Sequence, residues 1–143
     1  MLRLTKKSEY SIIALKHMFN KPTGLVTSAK EIAITYNIPS EIMAKILQRL
    51  AQKGIVQSCQ GAKGGYILAK AGNRISLAEI VETIEGPFGI VGCMTDSDCN
   101  CMQLDNCNIS DPFRVIQQQF KIFLSGISLA DINNEIEMLQ KIT

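Results

Sequence analysis

Residues 28–69, SAKEIAITYNIPSEIMAKILQRLAQKGIVQSCQGAKGGYILA, decide the fold of this 143-residue chain. Ser28 followed three positions later by Glu31 is a capping-box pattern, which predicts that a short helix begins here. A three-residue turn containing Pro39 follows, and a second helix with one apolar side then extends to Gly54. Two helices joined by so short a turn are typical of a helix-turn-helix unit.

A β-hairpin is predicted directly after the second helix. Two short strand-like segments, 55–59 and 65–69, flank the Gly-rich turn QGAKG, which carries Lys63. The order of helix, turn, helix and hairpin predicts a winged helix-turn-helix, within a mainly α-helical fold that has one small hairpin. Because helix pairs followed by hairpins also occur in proteins that do not bind DNA, the surface residues have to decide the function.

Further helices are predicted on both sides of this unit. One covers residues 7–19, and another, with a second capping-box pattern at its start, covers 76–86. A long helix is expected to begin at Ser110 or Asp111, and a final amphipathic helix to cover 128–141. Apolar residues surround much of the long helix, so we expect a second chain to cover it.

The chain is therefore expected to have three parts. Residues 1–86 form a winged helix-turn-helix DNA-binding domain, 87–110 a cysteine-rich segment that binds a cofactor, and 111–143 dimerisation helices. A length of 143 residues is enough for one domain with a substantial core.

The net charge of +2 conceals a strong asymmetry between the two halves of the chain. Residues 1–75 carry 12 Lys and Arg against 3 acidic residues, whereas residues 76–143 carry 3 against 10. Such a balance suggests an anionic partner for the basic half. No apolar run approaches the roughly 20 residues that span a bilayer, and no signal peptide is recognisable. We therefore expect a cytoplasmic protein with no membrane partner and with reduced thiols.

The outer face of the second helix supplies the residues expected to contact DNA. A recognition helix enters the major groove by its N-terminal end, which places Ser40, Glu41 and Lys45 near base edges. Gln48 and Arg49 lie a turn or more further along and are expected to meet the DNA backbone. As a set on one face of a basic half, these side chains favour DNA over other anions.

Three lysines outside that helix extend the expected contact surface. Lys63 at the tip of the hairpin can reach a minor groove or a phosphate. Lys6 and Lys7, at the start of the first predicted helix, can add phosphate contacts.

Four of the five cysteines, Cys93, Cys99, Cys101 and Cys107, lie within the polar segment CMTDSDCNCMQLDNC. In a reducing compartment such a group indicates a metal site more often than disulfides. Structural zinc sites use tightly spaced pairs of thiolates, whereas an iron–sulfur cluster accepts wider spacings because each iron takes its own thiolate. Spacing alone leaves open an iron–sulfur cluster, a zinc site and a thiol redox switch. Cys59 stands apart and is given no role.

Several segments along the chain together resemble a known protein family. The matching segments are LRLTKKSEYSIIALKHM, IPSEIMAKILQRLAQKGIVQS, GAKGGYILA, ISLAEIVETIEGP and FKIFLSGISLADI, with a cysteine segment before the last. Together they resemble the bacterial winged-helix iron–sulfur transcriptional regulators of the IscR and NsrR type, and most closely the branch that regulates the SUF system. The resemblance covers nearly the whole chain.

The resemblance implies a homodimer held by the long helix, and a [2Fe–2S] or [4Fe–4S] cluster bound by three cysteines. Cys93 matches the first of these and Cys107 the third. The middle one is Cys101, which keeps the spacing to Cys107, or Cys99, which keeps the spacing from Cys93; we favour Cys101. A fourth ligand is implied from Glu9 of the partner's first helix, with Cys99 as its competitor.

Two positions depart from the family pattern. Some relatives have a histidine ligand three residues after the last cysteine, where this chain has Ser110. Many relatives have a minor-groove arginine where this chain has Gln60. Gln60 is still expected to be among the DNA-contacting residues, but the wing contacts are expected to be weaker or to depend on Lys63.

The expected function is a transcriptional regulator that binds a duplex DNA operator under the control of an iron–sulfur cluster. Its targets would be iron–sulfur biogenesis genes or genes for redox and nitrosative stress. The alternatives are a zinc-bound or cluster-free thiol-sensing regulator and an iron–sulfur electron carrier. An enzyme is not expected, because the chain has no Ser-His-Asp arrangement or phosphate-binding Gly-rich loop, and His17 is its single histidine.

Overall fold

The computed structural model describes residues 2–95 and 99–143. Within them, α-helices predominate and one antiparallel hairpin is present, which confirms the predicted mainly α-helical fold. In chain order the elements are α1 (Lys6–Phe19), α2 (Ala29–Tyr36), α3 (Ser40–Gln52), β1 (Val56–Cys59), β2 (Gly65–Leu68), α4 (Leu77–Glu85), α5 (Ser110–Ser125), α6 (Leu129–Asn133) and α7 (Glu135–Ile142). Over the same part of the chain, no helix is both long enough and apolar enough to cross a bilayer.

One apolar core joins the N-terminal helices to the C-terminal part of the chain. Leu15 of α1, Leu47 of α3, Ile80 of α4 and Leu129 of α6 are all completely buried in it. Burying a side chain of this size stabilises the folded state by about 1.5–3 kcal/mol. The C-terminal α6 is therefore part of the core that supports the helix-turn-helix.

The chain returns to the start of α4 after it leaves α5. The main-chain N–H of Leu77 donates to the carbonyl of Ile127 at 2.8 Å, and that of Leu129 donates to the carbonyl of Ile75 at 2.8 Å. These bonds form an isolated antiparallel bridge between the segments that precede α4 and α6. This bridge holds together the two ends of the chain that contains α4, the cysteine segment and α5.

Two of the predicted helix starts are confirmed, although their capping boxes are only half formed. The hydroxyl of Ser28 accepts a hydrogen bond from the N–H of Glu31, and that of Ser76 accepts one from the N–H of Glu79, each at 3.1 Å. The two carboxylates bond elsewhere, however. Glu79 accepts from Lys70 at 2.5 Å, because an ammonium group is a stronger donor than a main-chain N–H.

The C-terminal region differs from the prediction in two ways. Neither Ser110 nor Asp111 caps α5, because both lie within its first turn. The single final helix is wrong as well: Asn134 adopts an extended conformation that separates α6 from α7, and its side chain caps α7. The complete capping box of the chain's described part forms between Ser128 and Asp131 at the start of α6.

The carboxylate of Glu31 connects α2 to the end of α1. It contacts Nε2 of His17 at 2.6 Å and accepts a hydrogen bond from Nζ of Lys21 at 2.8 Å. Nδ1 of His17 lies 2.9 Å from the hydroxyl of Tyr36 at the other end of α2. The single histidine is thus held between two helices. The hydrogen bonds from Lys21 and His17 lower the pKa of Glu31, against the opposing effect of burial.

We predict that Glu31→Gln lowers the thermal stability of the protein at pH 7. A carboxylate whose pKa is lowered in the folded state contributes stability above its unfolded pKa of about 4.3 and loses that contribution as the pH falls through its folded pKa. The difference between Glu31→Gln and the wild type should therefore shrink between about pH 5 and pH 3. Thermal unfolding followed by circular dichroism measures it. Glu135→Gln, at an exposed position of α7, is the matched control and should leave the thermal stability at pH 7 close to that of the wild type.

Candidate functional site

The turn between α2 and α3 directs the exposed face of α3 outward. Asn37 ends α2 in the left-handed conformation, with φ 53° and ψ 50°, and its N–H donates to the carbonyl of Ala33. Asparagine tolerates this conformation better than other residues with a β-carbon. Pro39 then occupies the position before the first turn of α3. The predicted three-residue turn is confirmed.

The five residues of α3 that were predicted to contact DNA lie on its solvent-exposed side. Ile46 and Leu47 face the core, and the opposite side carries the five exposed residues Ser40, Glu41, Lys45, Gln48 and Arg49. Four of the five keep their side chains available in the solvent. Arg49 has an additional contact, since its Nε donates to the carbonyl of Thr83 in α4 at 2.8 Å.

The hairpin forms a wing beside α3. Its strands pair antiparallel, with Val56 opposite Leu68 and Cys59 opposite Gly65. A β-carbon at Gly65 would lie 2.5 Å from the carbonyl oxygen of Thr27, so glycine is required for the wing to approach the segment before α2 so closely. The main chain of Thr27 bonds to Tyr66 in both directions, at 2.8 and 2.9 Å.

The tip of the wing lies in solvent. Gln60 and Lys63 are both exposed there, between β1 and β2. Their exposure is compatible with the expected contact to a minor groove or a phosphate, which stays a prediction. Cys59 is half-buried at the end of β1 and lies apart from the other thiols.

The four clustered cysteines line one cavity of about 440 Å³. Cys93 lies in a short 3-10 helix, Gly92–Met94, and Cys107 directly follows another, Leu104–Asn106. Cys99 and Cys101 reach the same cavity from the intervening chain, and its wall is completed by the first turn of α5. All four are half-buried. The structure thus brings together the thiols that the sequence singled out.

These thiols surround the cavity and do not meet at one point. Within residues 2–95 and 99–143, no three His, Cys, Asp or Glu side chains converge closely enough to hold a single metal ion. The thiol of Cys101 donates to the amide oxygen of Gln103 at 3.5 Å. Glu9 lies on α1, where it pairs with Lys6 at 2.7 Å, and is not among the residues that line the cavity.

The chain between α4 and the cysteines is attached to α5. The N–H of Ile90 donates to the side-chain oxygen of Gln117 at 3.2 Å. The rings of Phe88 and Phe120 lie 6.3 Å apart between centroids. Gly86, with a φ of 89°, allows the sharp change of direction with which α4 ends. The cysteine cavity is therefore built on the N-terminal half of α5.

The outer side of α5 is apolar and exposed. None of the residues of α5 is buried, which agrees with the apolar circumference predicted from the sequence. Exposed apolar residues recur at three-, four- and seven-residue intervals and form two adjacent stripes along the helix, which we together call the α5 face. Its members are Val115, Ile116, Phe120, Ile122 and Phe123.

The carboxylate of Glu85, which the sequence did not single out, fixes the start of α1 to the end of α4. The hydroxyl of Ser8 donates to it at 2.5 Å, and both the N–H and the hydroxyl of Thr5 donate to the same oxygen. Burial alone would raise the pKa of Glu85, but the hydrogen bonds from Ser8 and Thr5 lower it overall. No short-range pattern indicates a contact between residues 77 positions apart.

The sequence profile of the family described as "Rrf2: Iron-dependent Transcriptional regulator" matches residues 4–135. The chain belongs to the Rrf2 family. Among curated relatives, it is 28% identical over 131 residues to a Mycobacterium tuberculosis protein whose name describes an HTH-type transcriptional regulator. The alignment covers 92% of this chain and 81% of that protein. Protein aau3 of Rhizobium meliloti is also 28% identical, with 92% and 84% covered.

Solved structures give the same result for the fold. The structure of CymR, the global cysteine regulator of B. subtilis, matches with a TM-score of 0.73 and 25% identity, covering 94% of this chain and 98% of that one. IscR of T. potens matches with a TM-score of 0.73 and 22% identity, covering 97% and 91%. The expected winged-helix family is therefore confirmed, and this Rrf2 protein is a DNA-binding transcriptional regulator. Its assignment to the SUF branch remains a prediction.

Proposed function

We propose that this Rrf2 protein binds a palindromic duplex operator as a homodimer, and that an iron–sulfur cluster held by the cysteine segment controls its affinity. The observation that carries the proposal is the cavity of about 440 Å³ lined by Cys93, Cys99, Cys101 and Cys107. The description of the family profile as iron-dependent supports it.

The donor set around the cavity fits an iron–sulfur cluster. Thiolates are the protein ligands that such clusters prefer, and several of them distributed around a cavity suit a cofactor in which each iron takes a separate sulfur. Cys93, Cys101 and Cys107 would be the three chain ligands, with Cys99 or the partner's Glu9 as the fourth. The bound cluster would supply redox-sensitive Fe–S bonds at this position.

The chain's own residues connect this site to the DNA-reading surface. Ile90 and Phe88 attach the cysteine segment to α5, while Gly86 joins it directly to α4. Thr83 and Glu85 of α4 in turn hold Arg49 of α3 and the start of α1. Ordering or release of the cysteine segment would therefore reach the DNA-contacting elements through α4, as in an order–disorder switch.

The α5 face supports the homodimer. A monomer rarely leaves so continuous an apolar surface in water, and the long helix that carries it extends from the core that supports the wing and α3. A twofold dimer would place two copies of α3 about one helical turn of DNA apart, ~34 Å, which suits a palindromic site. A change in the relative orientation of the two chains would then alter the affinity.

Purification without oxygen tests the proposal. We expect a coloured protein with visible absorption, containing iron and acid-labile sulfide in equal amounts. The iron content per chain distinguishes a [2Fe–2S] from a [4Fe–4S] cluster. A colourless protein that contains no iron even after reconstitution with iron and sulfide would contradict cluster binding. Zinc in the purified protein would replace the proposal with a zinc-bound regulator.

A further inference from the structure

A basic groove of about 410 Å³ lies between the start of α1, α3 and the end of α4. Three basic side chains, Lys7, Lys45 and Arg49, line it together with the amides of Gln48 and Gln52. No acidic residue lies among its lining residues in the described part of the chain. Its remaining wall is apolar and consists of Ile42, Ile46 and Ile84.

We propose that this groove binds a backbone phosphate of the operator and is held in shape by the last turn of α4. The proposal rests on the DNA binding of this family but does not depend on the cysteine site. It goes beyond the separate backbone contacts expected from the sequence, because it joins Lys7 and Arg49 in one phosphate site, adds Gln52 and gives Arg49 a fixed geometry.

The position of the groove along α3 favours a phosphate over a base. A helix rises about 1.5 Å per residue, so Arg49 and Gln52 lie roughly 13 and 18 Å beyond Ser40 along the axis. The major groove is only about 12 Å wide. A recognition helix that reads bases near Ser40 therefore brings its last turns to the phosphates at the edge of the groove.

The side chain of Arg49 is oriented for this task before DNA arrives. Its Nε donates to the carbonyl of Thr83 at 2.8 Å, which leaves the two terminal nitrogens of the guanidinium group for an anion. An arginine fixed in this way loses less conformational entropy on binding than a free side chain, and its planar group suits two phosphate oxygens. An apolar wall of this kind suits the aliphatic stems of the two lysines that line the same groove.

The opposite side of the groove is fixed by the same turn of α4. Glu85 accepts hydrogen bonds from Thr5 and Ser8, which flank Lys7 in the first turn of α1. The charge of Lys7 also contributes to the lowered pKa of Glu85, but the hydrogen bonds of that carboxylate come from Thr5 and Ser8. The carboxylate of Glu85 thus receives its hydrogen bonds from neutral donors, and the ammonium group of Lys7 can bind a phosphate.

Salt-dependent binding of Lys7→Gln tests the phosphate contact. Each phosphate neutralised by the protein contributes about 0.9 to the slope of log K against log salt concentration. The proposed dimer carries two copies of Lys7, so we expect Lys7→Gln to reduce that slope by about 1.8. The variant should weaken binding to a duplex selected in vitro on the wild type and to a scrambled duplex by the same factor. An unchanged slope, or a loss restricted to the selected duplex, would overturn the proposal. Lys16→Gln, in the last turn of α1, is the matched control.

Arg49→Lys tests the contribution of the fixed guanidinium group. It keeps the charge but loses both the Nε donor to Thr83 and the planar fork, so the slope should stay unchanged while the affinity for both duplexes falls on the order of tenfold. Affinity equal to the wild type would show that the contact with Thr83 plays no part. Circular dichroism and thermal unfolding of each variant would separate these results from a loss of folding.

A free anion is the other possible occupant, and calorimetry distinguishes it. Titration of the wild type with inorganic phosphate is expected to give no saturable heat at millimolar concentrations. Saturable binding that Lys7→Gln abolishes would assign the groove to a small anion and overturn its assignment to DNA. All DNA measurements are repeated after iron chelation. If no cluster is found, the proposed function fails, while the change in slope still tests the groove.

Discussion

Replacing both Cys93 and Cys107 by serine is expected to abolish the visible absorption of the anaerobically purified protein and to change its affinity for the operator. The two residues lie at opposite ends of the cysteine segment, and both line its cavity. A serine hydroxyl keeps the shape of cysteine but is a poor ligand for iron, so two of the proposed ligands are lost with little change in packing. The measurements are an absorption spectrum, iron and sulfide content, and fluorescence anisotropy with the in vitro selected duplex.

The matched control for this variant is Cys59→Ser. Cys59 lies at the end of β1, away from the cavity, and its substitution should leave both the spectrum and the iron content unchanged. Unchanged operator affinity in the double variant, together with a lost spectrum, would show that the cluster is bound but does not control DNA binding. A retained spectrum would place the cluster elsewhere and contradict the proposed ligands.

The double substitution Ile122→Asp and Phe123→Asp is expected to convert the protein from a dimer into a monomer. Both side chains are about half exposed on the α5 face, at 57% and 49%, and two charges would have to be desolvated in the proposed interface. Light scattering after gel filtration should show the molecular mass falling from twice the chain mass to 15.8 kDa. A dimer binds a palindrome through two linked DNA-binding domains, whereas a monomer binds through one. The operator affinity should therefore fall on the order of 100- to 10,000-fold.

Arg114→Asp on the same helix, which changes the charge by as many units as the double variant, is the control for added charge. Arg114 is exposed, and none of the residues three or four positions from it belongs to the α5 face, so the variant should remain a dimer. If the double variant remains a dimer, the α5 face is not the dimer interface. A wild type that is already a monomer at micromolar concentration would contradict the homodimer as a whole.

The helix-turn-helix and the wing could be predicted because their signals are local. Serine caps begin α2 and α4, Asn37 and Pro39 form the turn, and the glycines between β1 and β2 form the hairpin tip. The exposed side of α3 followed from its helical period. Each of these features depends on residues only a few positions apart.

Other features could not be predicted, because they depend on contacts between distant residues. The bond from Arg49 to Thr83 joins two helices whose relative position only the folded chain determines. The same is true of Glu85, which no nearby pattern pairs with Ser8. The break at Asn134 was missed because the apolar spacing continues through it, while the main chain turns to an extended conformation there.

The sequence indicated which cysteines lie together, but not the shape of the cavity that they line. Four thiols in one short segment indicated a cofactor, and the structure places all four around one cavity. Which of them would bind the proposed cluster depends on how the chain folds around it, and the spacing of the family pattern left Cys99 and Cys101 as alternatives. The attachment of the segment to α5 through Gln117 had no sequence signal.

The antiparallel bridge between Ile75–Leu77 and Ile127–Leu129 makes α4, the cysteine segment and α5 a closed ring of chain. If one end of a segment were free, a contraction would only move that end. Because both ends of this ring are fixed, we expect a change in length at the cysteines to be taken up in part by a tilt or shift of α4 and α5. In the proposed dimer, a few ångströms of rearrangement around the thiols would then rotate one DNA-binding domain relative to the other.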